Sequence, residues 1–215
     1  MKNNIKGIIF DMDNTLLSSK INFAAMKKET YEFVINHGIL PDDLDLINQT
    51  TAIIIEKAVK TKMMSQEIIK AVWEIPKKYE VMGMENAVLE PGVTQLLSEL
   101  YGKYYMAVVT NNSIEAAVKA FRENKIYSYF DILVGREMIK SLKPSPDGFL
   151  YILDHYNTTS TDEWLSIGDA WLDGKASMDA GIRFISYRGD IQKMNTMGVY
   201  PYAVINDIRE LSNFI

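Results

Sequence analysis

Near the start of the chain the stretch GIIFDMDNTLL, Gly7 to Leu17, sets two carboxylates, Asp11 and Asp13, at the end of an apolar run of strand length. Side chains alternate along an extended backbone, so residues 11 and 13 project to one side while Met12 projects to the other. Other apolar runs end in groups of equal chemical interest. Tyr104 to Val109 is followed by Thr110, Asn111 and Asn112, and Trp164 to Gly168 by Asp169 and then Asp173. Lys143 stands in SLKPSPD, a proline-rich turn leading into a helix start at Pro146.

In a parallel sheet ligands bind outside the carboxyl ends of the strands, so these residues are expected to share one edge. Crowded carboxylates repel one another and bind protons more tightly unless a cation compensates, which implies a divalent metal. All-oxygen ligation, with no cysteine and only His37 and His155 as imidazoles, favours magnesium over zinc. Lys143 and the Thr110 hydroxyl add positive charge and donors for an anionic oxygen group. A nucleophile, a neighbouring proton donor, and cations around three equatorial oxygens are what phosphoryl transfer requires.

The elements that must position this set are legible in the hydrophobic pattern. Strand-length runs lie at Ile5 to Phe10, Tyr104 to Val109, Phe130 to Val134, Trp164 to Ile167, Arg183 to Tyr187 and Tyr202 to Ile205. Helix-period segments, such as Val93 to Leu100 and Ile114 to Asn124, separate the later runs, which predicts an α/β protein with a covered parallel sheet. From about Ser18 to Asn86 the rhythm breaks and no strand appears. There Phe23, Met26, Phe33 and Val34 form a helical stripe ending at Gly38, and Pro41 with Asp42 and Asp43 suits a second helix start. Thr51 to Lys62 and Ser65 to Glu74 suit further helices, with Pro76 as a break or a new first turn. The expected organisation is a discontinuous core, residues 1–17 and 88–215, and an all-helical insert, residues 18–87, joined by two hinge-like connections.

Composition bounds the alternatives. At 215 residues the chain can bury a full core, so a metal would serve chemistry and not folding. A net charge of -5 without a basic stripe argues against nucleic acid. Zero cysteines excludes thiol catalysis and disulfide frameworks. The short N-terminal apolar run and the lack of any bilayer-length apolar stretch argue against a signal or a membrane span, giving a cytoplasmic protein as the expectation. The sequence is silent on oligomeric state.

Four motifs in order, DMDNT (Asp11 to Thr15), TNN (Thr110 to Asn112), KPSPD (Lys143 to Asp147) and GDAWLD (Gly168 to Asp173), make the chain resemble the haloacid dehalogenase superfamily of phosphohydrolases over nearly its whole length. The resemblance implies a Rossmann-like core with a C1-type helical cap, similar to the phosphoglycolate phosphatase and beta-phosphoglucomutase branch. It implies that Asp11 attacks phosphorus to form an aspartyl-phosphate, and that Asp13 protonates the leaving oxygen and then activates water. By the same match Thr110 and Lys143 hold phosphoryl oxygens with the Asn111 backbone assisting, and Lys143 restrains the charge of Asp11. Magnesium would contact Asp11, the backbone carbonyl of Asp13, and Asp169, with Asp173 acting through water or by orienting Lys143. Members resembling dehalogenases lack an acid at the position of Asp13, so phosphate ester cleavage is favoured. The expected activity is hydrolysis of a small phosphorylated metabolite; the alternatives are a phosphomutase and, from another class, a signalling module phosphorylated on Asp11.

Blander roles are expected elsewhere. Asn14 and Thr15 order the turn after the first strand, Gly168 permits close backbone approach, and His37 meets helix-terminal carbonyls. The insert methionines, Met63, Met64, Met82 and Met84, read as adaptable core packing, and Trp171 either walls the site or packs beneath it.

Overall fold

The computed structural model describes residues 4–47 and 49–215. The elements fall into two compact units, the first comprising the chain up to Ser19 together with Ala87–Ile215 and the second comprising Lys20–Asn86.

In the first unit the apolar runs pair into a six-stranded sheet. Its strands are β1 (Gly7–Phe10), β4 (Tyr105–Val109), β5 (Ile132–Val134), β6 (Trp164–Gly168), β7 (Arg183–Tyr187) and β8 (Ala203–Ile205). Their order is β5-β4-β1-β6-β7-β8, and every pairing is parallel. Residues of β1 and β6 are buried throughout, as expected of strands covered on both faces. The shared core brings Ile9, Ala107 and Val109 against Phe149 and Ile152 of α6 (Asp147–His155) and Ala176 of α7 (Trp171–Asp179). Register then sets the height of the strand ends: Phe10 is level with Val108 on one side and Ile167 on the other. Asp11, Thr110 and Asp169 therefore emerge from three adjacent strands at one edge.

The two connections to the insert belong to the sheet-containing unit for two residues more at the first and one at the second than the expected bounds. β2 (Leu17–Ser18) and β3 (Val88–Leu89) pair antiparallel, Leu17 opposite Leu89, and the Glu90 N–H donates to the Leu16 carbonyl at 3.0 Å. With this ribbon the units exchange at Ser19/Lys20 and Asn86/Ala87, within two residues of the expected bounds.

The second unit contains α1 (Phe23–Asn36), α2 (Thr51–Lys60) and α3 (Gln66–Met84), packed around Tyr31, Val34, Ile54, Ile55, Ala58 and Val72. Asn22, Thr50 and Ser65 cap the three N-termini by accepting backbone N–H bonds. The His37 ring nitrogen Nδ1 lies 2.8 Å from the Phe33 carbonyl, as expected of a helix-terminal histidine.

Three expectations fail here. No helix starts at Pro41, because the Tyr31 hydroxyl donates to the Pro41 carbonyl at 2.7 Å and accepts from the Leu44 N–H at 3.1 Å, holding the segment as a turn. Pro76 does not break the chain either; α3 runs through it to Met84. The lost N–H bond is offset by a buried stripe at helical spacing, Val72, Pro76, Glu80 and Met84. Of the insert methionines, Met84 is buried and Met64 packs on the helical core, whereas Met63 and Met82 are exposed. Among the described residues no helix is long and apolar enough to cross a membrane.

Candidate active site

The turn after β1 carries the first pair of acids. The Asp11 N–H donates to the Ile167 carbonyl at 2.9 Å, extending the pairing with β6 by one residue. The chain then doubles back: Leu16 and Leu17 donate to the Met12 carbonyl, Asn14 donates to the Leu17 carbonyl, and Asp13 bridges Leu17. Asn14 takes a left-handed φ of 60°, which asparagine tolerates better than most side chains and which supports its expected role in the turn. Met12 is wholly buried while Asp11 and Asp13 keep partial access to solvent, the alternation expected from their spacing.

Lys143 is the hub. Its ammonium donates to Asp11 Oδ1 at 2.5 Å, to Asp173 Oδ1 at 2.6 Å and to the Val109 carbonyl at 2.9 Å. A lysine has three protons to give, so all are engaged, and a phosphoryl oxygen must share or displace one of these bonds. Burial disfavours the charged amine, but the charges and hydrogen bonds of Asp11 and Asp173 outweigh it and hold Lys143 above the ordinary lysine range.

The carboxylates are raised as well, and for them burial is the leading cause. Burial first, and then the Asp173 charge, push Asp11 up to about 7 against the opposing pull of Lys143. Burial followed by the charges of Asp11 and Asp173 pushes Asp169 up to about 8. Asp13 rises to about 6 through burial, tempered by hydrogen bonding from the Ser19 side chain and backbone and by the Lys143 charge. Both Asp13 carboxylate oxygens are buried, and neither closes a hydrogen bond of good geometry. Asp11, Asp169 and Asp173 present carboxylate oxygens within 4.8 Å of one another, a grouping able to hold a metal ion. All-oxygen donors, and two carboxyls raised by burial and by neighbouring carboxylate charge that a divalent cation would offset, suit a hard ion such as magnesium.

Asp173 is occupied on both sides. One oxygen takes the Lys143 ammonium, and the other accepts the Ala170 N–H at 3.0 Å at the start of α7. That arrangement favours orientation of Lys143 over direct metal ligation. Gly168 makes room for it: a Cβ there would lie 2.6 Å from Asp173 Cβ, closer than side chains tolerate. Trp171, partly buried, packs against the cluster of Phe184, Met194 and Val199.

Thr110 is 2% exposed, with its N–H given to the Val134 carbonyl and its hydroxyl accepting from the Asn112 N–H at 3.1 Å, which leaves the hydroxyl proton for another acceptor. Asn111 is expected to assist through its backbone; its side chain is spent on the protein. Its Nδ2 donates to the Lys143 carbonyl at 3.0 Å and its Oδ1 accepts the Lys143 N–H at 2.9 Å. The Val109 carbonyl, the Ser19 contact and this clasp escaped sequence reasoning, since nothing in residue type or spacing marks a backbone carbonyl or a serine two residues past a leucine pair.

A parallel sheet whose central strand ends gather acids, a hydroxyl and a buried ammonium is an α/β frame suited to binding an anionic group. The profile of the haloacid dehalogenase-like hydrolase family matches residues 8–187, and the chain belongs to that family. It is 25% identical over 204 residues to a phosphoglycolate phosphatase of Rhodobacter capsulatus, covering 91% of this chain and 90% of that one. It is also 25% identical over 177 residues, 80% of this chain, to a haloacid dehalogenase-like hydrolase domain-containing protein of Arabidopsis thaliana, of which it spans 66%. Among solved structures, a predicted phosphoglycolate phosphatase from Haemophilus somnus superposes with a TM-score of 0.68 at 20% identity, over 99% of both chains.

Proposed function

We propose that this phosphatase of the haloacid dehalogenase-like family depends on magnesium and hydrolyses a small phosphorylated metabolite through a phosphorylated Asp11. The observation that carries the reading is the Lys143 ammonium bonded to Asp11 and Asp173 beside a buried, weakly partnered Asp13 carboxyl. An Asp11 carboxylate oxygen attacks phosphorus while the ester P–O bond breaks, and the departing oxygen takes a proton from Asp13. Water then gives a proton to Asp13 and attacks the same phosphorus, breaking the Asp11 O–P bond and releasing phosphate. With its proton held up to about 6, Asp13 is suited to donate and to recover it near neutral pH. Thr110 offers its hydroxyl proton to a phosphoryl oxygen. Asp11 and Asp169, with the Asp13 carbonyl, would hold the metal, which supplies positive charge against the phosphoryl oxygens when bound. Asp173 acts mainly by orienting Lys143.

Substrate choice is assigned to the helical unit, because the residues gathered at the sheet edge recognise only a phosphoryl group and a metal. The test is phosphate release from a panel of phosphorylated metabolites with magnesium, beginning with 2-phosphoglycolate because relatives carry that name. Release is expected from the wild-type protein and not from Asp11→Asn; release that survives the substitution refutes the nucleophile. Isomerisation of a sugar phosphate without free phosphate would make the protein a mutase.

A further inference from the structure

Lysine carries its charge on a flexible four-carbon stem, so an ammonium that must reach two carboxylates needs its backbone fixed. Lys143 sits in the loop between the short helix Arg136–Met138 and α6. The bonds within that loop are local: Ser145 N–H to the Leu142 carbonyl at 2.9 Å, the Ser145 hydroxyl to Asp147 Oδ1 at 2.7 Å, and Ser141 N–H to Asp147 Oδ2 at 3.1 Å. None of these three reaches the sheet. The backbone of Lys143 is instead tied to the end of β4 by a residue 32 positions away, Asn111, which accepts its N–H and donates to its carbonyl. A primary amide is among the few side chains with a donor and an acceptor side by side, so it can clasp both polar groups of one residue. The Asn111 region is braced in turn, the Arg136 N–H donating to the Asn112 carbonyl at 3.0 Å and the Arg136 guanidinium reaching the Asn111 carbonyl at 3.4 Å.

We propose that Asn111 is a positioning residue for phosphoryl transfer: its side chain clasps the Lys143 peptide so that the ammonium meets Asp11 and Asp173 together. The proposal rests on the reading of Asp11 as nucleophile, and gives Asn111 a role through Lys143 and not through the substrate. Asn111→Ala is expected to lower kcat on the order of 10²-fold, the cost of a group displaced by about 1 Å, with KM changed less than about twofold.

The deciding measurement is a double-mutant cycle on para-nitrophenyl phosphate with magnesium, using Asn111→Ala, Lys143→Ala and the pair. If Asn111 acts through Lys143, its removal costs little once Lys143 is gone. Losses that multiply, or an Asn111→Ala enzyme with wild-type kcat, overturn the proposal. The near-isosteric Asn111→Asp keeps the acceptor and loses the donor, so it guards against misfolding; wild-type turnover in it would also overturn the two-sided clasp. Amide exchange at Lys143, expected to quicken in Asn111→Ala, reads the clasp without any turnover, and unchanged exchange counts against it. Asp11→Asn is measured alongside: an active Asp11→Asn defeats the nucleophile reading, whereas an inert one beside a fully active Asn111→Ala defeats only the clasp.

Discussion

Replacing Lys143 by methionine keeps the length of the side chain and removes its charge. The ammonium makes bonds of 2.5 and 2.6 Å to Asp11 and Asp173 and one of 2.9 Å to the Val109 carbonyl, with its side chain 5% exposed. Its loss leaves two carboxylates facing each other and a carbonyl without a donor. Breaking a buried ion pair by removing one partner costs about 3–5 kcal/mol. For a chain of this size that corresponds to a fall of about 6–20 °C in melting temperature in metal-free buffer near pH 8. The loss is bounded by protonation. Asp11 is already raised to about 7, well above its ordinary 3.8, and without the lysine it rises further. The folded variant therefore holds more protons than the unfolded chain above about pH 4, and its stability rises as pH falls through that window. Thermal melts of wild type and Lys143→Met at about pH 5.5 and about pH 8, both in chelator, should show the gap narrowing at the lower pH. A gap equal at both values, or below about 2 °C at the higher one, would refute the argument that Lys143 neutralises a buried acid pair.

Other outcomes follow from the same geometry. Because Asp169 and Asp11 are raised to about 8 and about 7, the metal-free wild type should itself melt higher as pH falls from about 8 towards 5, and added magnesium should raise the melting temperature most at the alkaline end; differential scanning calorimetry across pH checks both. Asp13 must carry a proton to serve as acid, so kcat/KM measured with magnesium should decline on the alkaline limb of its pH profile. Removing the lowering influence of Ser19 in Ser19→Ala should move that decline to higher pH, as read from pH-rate profiles. In Gly168→Ala the new methyl meets Asp173 at 2.6 Å and pushes it from Lys143, so kcat should fall on the order of tenfold or more while KM is kept; wild-type kcat would show that Asp173 is not held as described.

The sequence by itself determined the sheet and the identity of the chemical groups. Apolar runs of strand length are self-announcing when a strand is buried on both faces, which is why Arg183–Tyr187 was legible to the residue. Edge strands were overestimated: Phe130 continues the apolar run of β5, but its ring packs on Phe10 and Phe121 and the strand begins only at Ile132. In the insert, helix signals were read correctly at Phe23 and Thr51, where capping is local, and wrongly at Pro41 and Pro76, where long-range contacts overrule local preference. The same division runs through the site. Residue type and position after a strand single out Asp11, Asp13, Thr110, Asp169 and Asp173, and a proline-rich turn presents Lys143, because acid, hydroxyl and amine are properties of the residue itself. Who touches whom was decided only by the tertiary structure. It gave all three Lys143 protons to protein acceptors, divided Asp173 between that ammonium and the Ala170 N–H, and turned the Asn111 amide onto the Lys143 peptide. The physical reason is that hydrogen bonds and charge–charge terms depend on distances of a few ångströms between residues far apart in sequence, and those distances exist only once β1, β4 and β6 stand in register.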